Sequence, residues 1–363
     1  DKYIEGEKKM ELHSDIFSTD FNSYTNGYKD AKAIKAELMK ADLLPNYYSA
    51  PLFVMWELTS KCPNRCIYCY NNSNSEKHCT NELTTEEAMA FAEQLVKAKP
   101  FSVCLTGGEP TTRKDYFQIA NYLKENMIPV STVTSGYLVD DEMAKKMCEC
   151  FEYVQVSVDG PDAETHDKVR GVAGSFERAV QACKLLKKHG VHKLSIAVSL
   201  CKYNKDKFEE MLDFAKDFLQ ADELRTQYLV MVGRAGDNEN IELSKEEYQE
   251  VINCIERKQN EFMTQGEAFK VLWGDPCVHI LIGKEMSKVT LLRLTSEGRF
   301  AISPYLPYVM GNVRNSTLQE IWTGGMRTGW DIPSIAEAVK DIESLDDVKE
   351  LSKKLGNDYI DVL

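Results

Sequence analysis

The sequence predicts an α/β protein built on parallel βα units, and three observations carry that reading. From Leu52 onward, short apolar runs alternate with longer amphipathic stretches six times over. The first helical stretch opens with Thr84 and, three residues on, Glu87, the pattern of a capping box. Every motif able to carry chemistry falls at the carboxyl end of an apolar run, where parallel α/β architectures bind ligands. The expected strands are 53–58, 102–105, 130–134, 153–158, 194–200 and 224–231. Helices are expected from Thr84 and over 115–126, 140–150, 175–188 and 205–219. Six repeats are too few to close an eight-stranded barrel. After Met231 the rhythm changes to a Gly-rich exit at 232–240 and a helix over 244–258. A hairpin then pairs 288–295 with 299–303 around Ser-Glu-Gly, and two acidic amphipathic helices follow in the tail.

Composition narrows the class. A chain of 363 residues has room for one large domain and a smaller appendage. Hydrophobic residues at 43% with charged residues at 28% describe an ordinary globular protein, and a net charge of −13 disfavours nucleic acid and anionic membrane as partners. No apolar run reaches the roughly 18 residues of a membrane span. The opening DKYIEGEKKMELHSD is charged throughout, unlike a signal peptide. Eleven cysteines, an odd number without a disulfide-framework distribution, fit a reducing interior, so the expected location is cytoplasmic. Residues 1–50 are polar, with one helix expected around Tyr28–Lys40 that ends before Leu44-Pro45.

The chemistry centres on Cys62, Cys66 and Cys69 in CPNRCIYC. Thiols at this spacing wrap one face of an iron–sulfur cube, binding three irons and leaving the fourth open for a cofactor or substrate. Zinc is the alternative metal, with His78 or Cys79 as a fourth ligand. The next βα unit carries Gly107-Gly108-Glu109-Pro110, where two glycines permit a sharp turn and a close approach.

CxxxCxxC after a strand, followed by GGEP, resembles the radical S-adenosylmethionine (radical SAM) superfamily. The block VSVDGPDAETHDKVRG resembles its SPASM/twitch, peptide-maturase-like branch. The likeness spans roughly residues 52–325. It implies an open partial (βα)6 TIM barrel over 51–235, a small SPASM/twitch-like α+β extension over 236–325, a cap at 1–50 and a helical tail at 326–363. It also implies one [4Fe–4S] cluster on the three cysteines, and SAM. By resemblance, the turn with Gly107 and Gly108 holds the SAM amino group and Glu109 supports its geometry, Ser135 stands where relatives carry asparagine, and Ser157 or Asp159 meets the ribose. Arg170 pairs with the SAM carboxylate, for which a planar guanidinium is suited. Tyr68 is read either as the aromatic near adenine or as a core ring. Asp159 is otherwise a turn former before glycine, and Arg170 a surface ion pair. His166 reads as structural. Gly233-Arg234-Ala235 resembles the branch's Gly-Arg-Ala, and its arginine is left outside the catalytic set.

The C-terminal part, EGRFAISPYLPYVMGNVRNSTLQEIW, follows the branch's pattern with Ser303 in place of a cluster-binding cysteine, and no cysteine follows Cys277. Serine is a poor soft ligand, so auxiliary clusters are expected to be lost. Cys277, and less so Cys201, are candidate hydrogen-atom donors by analogy with radical epimerases. The alternative for each is a buried small hydrophobe.

The functional expectation is reductive SAM cleavage and hydrogen-atom abstraction from a precursor peptide, giving a cross-link or an inverted centre, with a flavodoxin or ferredoxin as electron donor. An epimerase or dehydrogenase of a small molecule such as a sugar or aminoglycoside is the alternative. A non-catalytic iron–sulfur or zinc protein is the reading of another class.

Overall fold

The computed structural model describes residues 45–74 and 80–362. The helix expected around Tyr28–Lys40 and the alternative ligands His78 and Cys79 lie outside the described residues. The frame is one eleven-stranded sheet. Strands β1 (Phe53–Glu57), β2 (Ser102–Thr106), β3 (Val130–Thr134), β4 (Tyr153–Ser157), β5 (Leu194–Ser199) and β6 (Glu223–Gln227) run parallel in chain order. The helices between them are α1 (Thr85–Ala98), α2 (Tyr116–Glu125), α3 (Asp141–Cys150), α4 (Ala163–Arg170), α5 (Ser175–Lys188) and α6 (Phe208–Asp213). The Thr84–Glu87 capping box is formed.

Two further parallel strands extend the six. After α7 (Lys245–Thr264), strand β7 (Lys270–Gly274) adds to β6, and after α8 (Pro276–Met286), strand β8 (Leu291–Leu294) adds to the far side of β1. Among the described residues β7 and β8 do not pair, so the barrel stays open along that seam. The expected hairpin is present as β8 with antiparallel β9 (Arg299–Ala301), which β10 (Tyr308–Asn312) continues. Helices α9 (Leu318–Thr323), α10 (Pro333–Val339) and α11 (Leu345–Leu355) follow, and β11 (Ile360–Asp361) returns to pair with β10.

Several elements depart from the sequence reading. The helix expected over 205–219 is broken into a 3-10 turn, α6 and a π-helical end at Phe214–Phe218, where Phe214 stacks between Phe176 and Phe218. Strand β6 stops at Gln227: Tyr228 N still donates to Gly274 O of β7, but Leu229 N donates to the Tyr248 hydroxyl at 3.0 Å instead. Helix α4 was not expected; Asp162 caps it by accepting from Thr165 N, and Gly171 ends it in the left-handed conformation. Strands β7, β10 and β11 and helix α8 were also missed, being short runs without clear periodicity.

Alternation sorts the side chains of the sheet. Val54, Trp56, Val103, Leu105, Val154 and Val156 are buried beneath the helices, while Cys104, Ser131, Gln155, Ser157, Ser199 and Gln227 face inward and are half-buried. The core is apolar outside the barrel and the inner wall is polar. Trp56, Phe91 and Phe300 meet edge to face at 4.9 and 6.0 Å and join α1 to the barrel and the C-terminal hairpin. Among the described residues no helix is long and apolar enough to cross a membrane. Phe91→Ala should therefore cost about 3–5 kcal/mol, seen as a lower urea midpoint with an unchanged m-value.

Candidate active site at the carboxyl ends of the strands

The cysteine loop leaves β1 and runs along the GGE turn that ends β2. Leu58 N donates to Thr106 O, Gly108 N to Thr59 O at 2.6 Å and Glu109 N to Lys61 O at 2.7 Å. A Cβ at Gly107, whose φ is +141°, would lie 2.4 Å from Thr59 O, and one at Gly108 the same distance from Lys61 O. The protein's own backbone thus makes a close approach that needs these glycines, in addition to the turn read from the sequence.

Each cysteine has its own support. The side-chain amide of Asn74 brackets Cys62, accepting from its N–H at 2.9 Å and donating to its carbonyl at 2.6 Å. Arg65 N and Ile67 N donate to the carbonyls of Arg170 and Val169, fastening the loop's centre to the end of α4. Arg234 holds the rest: its Nε donates to Cys66 O, its backbone N to Cys69 O, and its Nη1 to Asn72 Oδ1 and Ser73 O. Two donors point at the sulfurs, Arg170 Nη1 at 3.6 Å from Cys66 Sγ and Ser73 N at 3.4 Å from Cys69 Sγ. Burial pushes the Cys62 thiol up to about 12, with Glu109, Cys66 and Cys69 adding to the rise. Burial also raises Cys66, against the lowering effect of Arg170. Soft donors on one loop, with N–H groups at their sulfurs, fit an anionic iron–sulfur cluster. Loading it releases protons from these thiols.

Beside the loop, Asp159 is fully buried. Its Oδ2 accepts from Tyr68 Oη at 2.6 Å and contacts Arg170 Nε at the same distance, while Oδ1 accepts from Ser199 N at 2.8 Å. Burial opposes the Arg170 charge, but Asp159, Tyr68 and Cys66 together outweigh it and hold the guanidinium well above its usual pKa. Arg170 is therefore no surface ion pair, and Asp159 is more than a turn former. Tyr68 packs with Ile67, Val169, Cys201, Leu229 and Met231 while its hydroxyl serves Asp159. Glu109, also fully buried, gathers the neighbouring strand ends: it accepts from Thr111, from the Thr134 hydroxyl and from Ser135 through both N and Oγ at 2.6 Å.

His166 is structural in its contacts, its Nδ1 accepting from Asp159 N at 3.1 Å. Ser157 sits half-buried at the carboxyl end of β4, two residues before Asp159. Cys201 is buried at the end of β5 among the side chains around Tyr68. Cys277 lies apart, buried at the start of α8 in the main core, where Asp275 caps the helix through its N–H, and burial pushes its thiol up to about 12. Ser303 is buried and its hydroxyl accepts from Tyr305 N.

Sequence reasoning missed Asn74, which lies in an Asn/Ser-rich run without a distinguishing pattern. It also missed the Glu57–Arg293 pair at 2.8 Å, although a carboxylate inside the apolar run LFVMWEL was a visible signal. Arg234 was noticed, but its role needs the fold.

The chain belongs to the radical SAM superfamily. The superfamily's profile matches residues 56–215. The AdoMet-dependent heme synthase of Methanosarcina barkeri is 30% identical over 293 residues, 76% of this chain and 82% of that protein. Mycofactocin maturase MftC of Mycolicibacterium smegmatis is 31% identical over 227 residues, 62% of this chain and 56% of that one. Among solved structures, Streptococcus suis SuiB bound to S-adenosylmethionine superposes with a TM-score of 0.67 at 17% identity, covering 96% of this chain and 84% of SuiB. Native anSMEcpe with bound AdoMet gives 0.62 at 18% identity, covering 80% and 86%. These relatives agree with the SPASM/twitch likeness and with a partial TIM barrel. The protein is an enzyme of radical chemistry, with the superfamily's [4Fe–4S] cluster and SAM as cofactors.

Two outcomes follow from the site's packing. Gly108→Ala drives a methyl group into Lys61 O and should cost about 1–3 kcal/mol, read as a lower melting temperature together with reduced iron loading. Burial, helped by Arg170, lowers the His166 pKa to about 4, whereas the unfolded chain titrates near ~6.5. As pH falls through that window the unfolded state takes a proton that the folded state refuses. Stability should drop by about 2 kcal/mol between pH 7 and pH 5, and urea titrations of His166→Asn should lack that component.

Proposed function

We propose that Cys62, Cys66 and Cys69 hold the [4Fe–4S] cluster and that the enzyme modifies a ribosomally made precursor peptide, by cross-linking or by epimerisation. When bound, the cluster delivers the electron that cleaves SAM, and the adenosyl radical released takes a hydrogen atom from the substrate. The chain's own residues orient and enclose. Arg170 and Ser73 N temper the sulfur charge, Asn74 and Arg234 fix the loop, and Gly107, Gly108, Glu109, Ser135, Ser157, Asp159, Arg170 and Tyr68 form the SAM side of the site. In this reading Glu109 and Asp159 act by holding their neighbours, since both carboxylates already accept several protein donors.

The observation that carries the peptide reading is the barrel's inner wall near the site. Gln155, Ser157, Ser199 and Gln227 are half-buried hydrogen-bonding groups, a lining that matches peptide amides, with Arg225 on the same face of β6 as Gln227. It is supported by the likeness to mycofactocin maturase MftC and to SuiB, which has been solved with its precursor peptide SuiA. The length of the match to the Methanosarcina heme synthase favours a second reading, a porphyrin-type substrate. The net charge of −13 weighs against a polyanionic porphyrin. With Ser303 engaged in a turn and no cysteine after Cys277, the C-terminal part is read as lacking an auxiliary cluster. The electron comes from a small reductase partner such as a flavodoxin or ferredoxin.

The test is anaerobic reconstitution followed by dithionite, SAM and a candidate precursor peptide. About four irons per chain are expected, with 5'-deoxyadenosine formed and the peptide either losing two hydrogens or gaining deuterium in D2O. Any one of Cys62→Ala, Cys66→Ala or Cys69→Ala should abolish deoxyadenosine formation. Eight irons would overturn the single-cluster reading. Turnover of Fe-coproporphyrin III with an inert peptide would replace the peptide reading by the porphyrin one. Cys277→Ala that still cleaves SAM but yields no inverted product would identify that thiol as the hydrogen donor.

A further inference from the structure

The loop around Cys69 is braced from outside the barrel. Gly233, just beyond β6, lies under the loop so closely that a Cβ there would sit 2.5 Å from Cys69 O and 2.4 Å from Tyr70 O. On the other side Arg293, from β8, donates through Nη2 to Asn71 Oδ1 at 2.8 Å and through Nε to Glu57 Oε1 at 2.8 Å. The Tyr70 hydroxyl donates to the same Glu57 oxygen at 3.2 Å. Cys69, Tyr70 and Asn71 are thus held between two supports, one in the loop after β6 and one on β8.

One further segment touches both supports. The Asn357 side-chain oxygen accepts from Gly233 N at 2.8 Å, and the Tyr359 hydroxyl accepts from Arg293 Nη2 at 3.3 Å. The Arg293 guanidinium lies between the rings of Tyr70 and Tyr359, with centroids at 5.6 and 5.9 Å, so that one buried charge is shared by loop and segment. Beyond Tyr359 the chain is fixed in place, with Ile360 N on Pro307 O and Val362 N on Val309 O. The segment spans the seam from β6 to β8 and is tied at each end to whatever holds Cys69.

We infer that Asn357 and Tyr359 are positioning residues for the cluster loop: acting through Gly233 and Arg293, they set the placement of Cys69 relative to Cys62. The consequence for the cluster rests on the proposal that Cys69 is a ligand; the mechanical coupling does not. Cys62 provides the internal reference, because Asn74 clamps it without help from either support.

The test uses metal-free full-length protein, with alkylation of Cys62 and Cys69 by iodoacetamide followed by mass spectrometry. In the double variant Asn357→Ala, Tyr359→Phe, the ratio of Cys69 to Cys62 alkylation rates should rise by at least about fivefold, the opening released by loss of one ordinary hydrogen bond, with two such bonds removed. Arg293→Lys keeps a positive charge beside Glu57 but lacks the fork, and should raise the ratio likewise. An unchanged ratio, or both cysteines speeding up together as in a generally loosened fold, would overturn the inference. Release of iron from reconstituted protein to a ferrous chelator is measured in parallel. Faster release in the same variants supports Cys69 as a ligand, whereas an altered alkylation ratio with unaltered release would count against that ligand assignment and leave the coupling standing.

Discussion

The buried contact between Asp159 and Arg170 is the constraint on which the site's geometry depends. A carboxylate removed from water at the end of β4 has to be matched by a charge and by hydrogen-bond donors, or it is strongly destabilising. The matching groups come from three places: the guanidinium at the end of α4, the Tyr68 hydroxyl from the cysteine loop, and Ser199 N from β5. Satisfying one acid therefore fixes the relative positions of two strands, one helix end and the loop. Another nitrogen of the same guanidinium, Nη1, faces Cys66 Sγ, so the same charge balance reaches the cysteine loop.

Glu109 does the equivalent work one strand away. It organises the ends of β2 and β3 through Thr111, Thr134 and Ser135, while its own backbone N–H is tied to the start of the cysteine loop. The two acids divide the labour by chemistry: Asp159 has a cation for a partner, whereas Glu109 is held by hydroxyl and amide donors. Motif residues expected to meet a ligand also serve as joints between the strand ends. This is the arrangement that precise positioning of a reactive centre requires, since supporting hydrogen bonds lock the groups nearest the chemistry.

Much of the barrel was legible because its signals are local. Apolar runs bounded by caps gave β1 to β6 within a few residues, and CxxxCxxC, GGEP and VDG lie in strand-end positions that a parallel fold makes predictable. What was not legible depends on contacts distant in the chain. Arg234 reaches Cys66 across 168 residues and Arg293 reaches Glu57 across 236. Neither position announces a partner that far away. The short strands β7, β10 and β11 escaped for a related reason: two to five residues carry too little periodicity, and they are strands because a neighbouring edge was available. Helix α4 was hidden by composition, since AETHDKVR reads as polar loop until Asp162 is seen capping it and Val169 is seen buried.

The gap between β7 and β8 has an energetic meaning of its own. Eight parallel strands lie side by side, yet among the described residues no ladder joins β7 to β8, whose two neighbours are β1 and β9. The gap is crossed instead by side chains, among them the Tyr305 hydroxyl donating to Gln227 Oε1 at 3.3 Å, with the His279 ring against Tyr305 at 5.3 Å. Separating two laddered strands breaks a row of backbone bonds at once. Parting this gap breaks contacts singly, at about 1 kcal/mol for a hydrogen bond of ordinary strength. The wall is therefore anisotropic: stiff along seven strand pairs, compliant at one. Parting that gap would pull on the segment from Asn357 to Tyr359, which is bonded to both Gly233 and Arg293, so the seam and the supports of the cysteine loop move together.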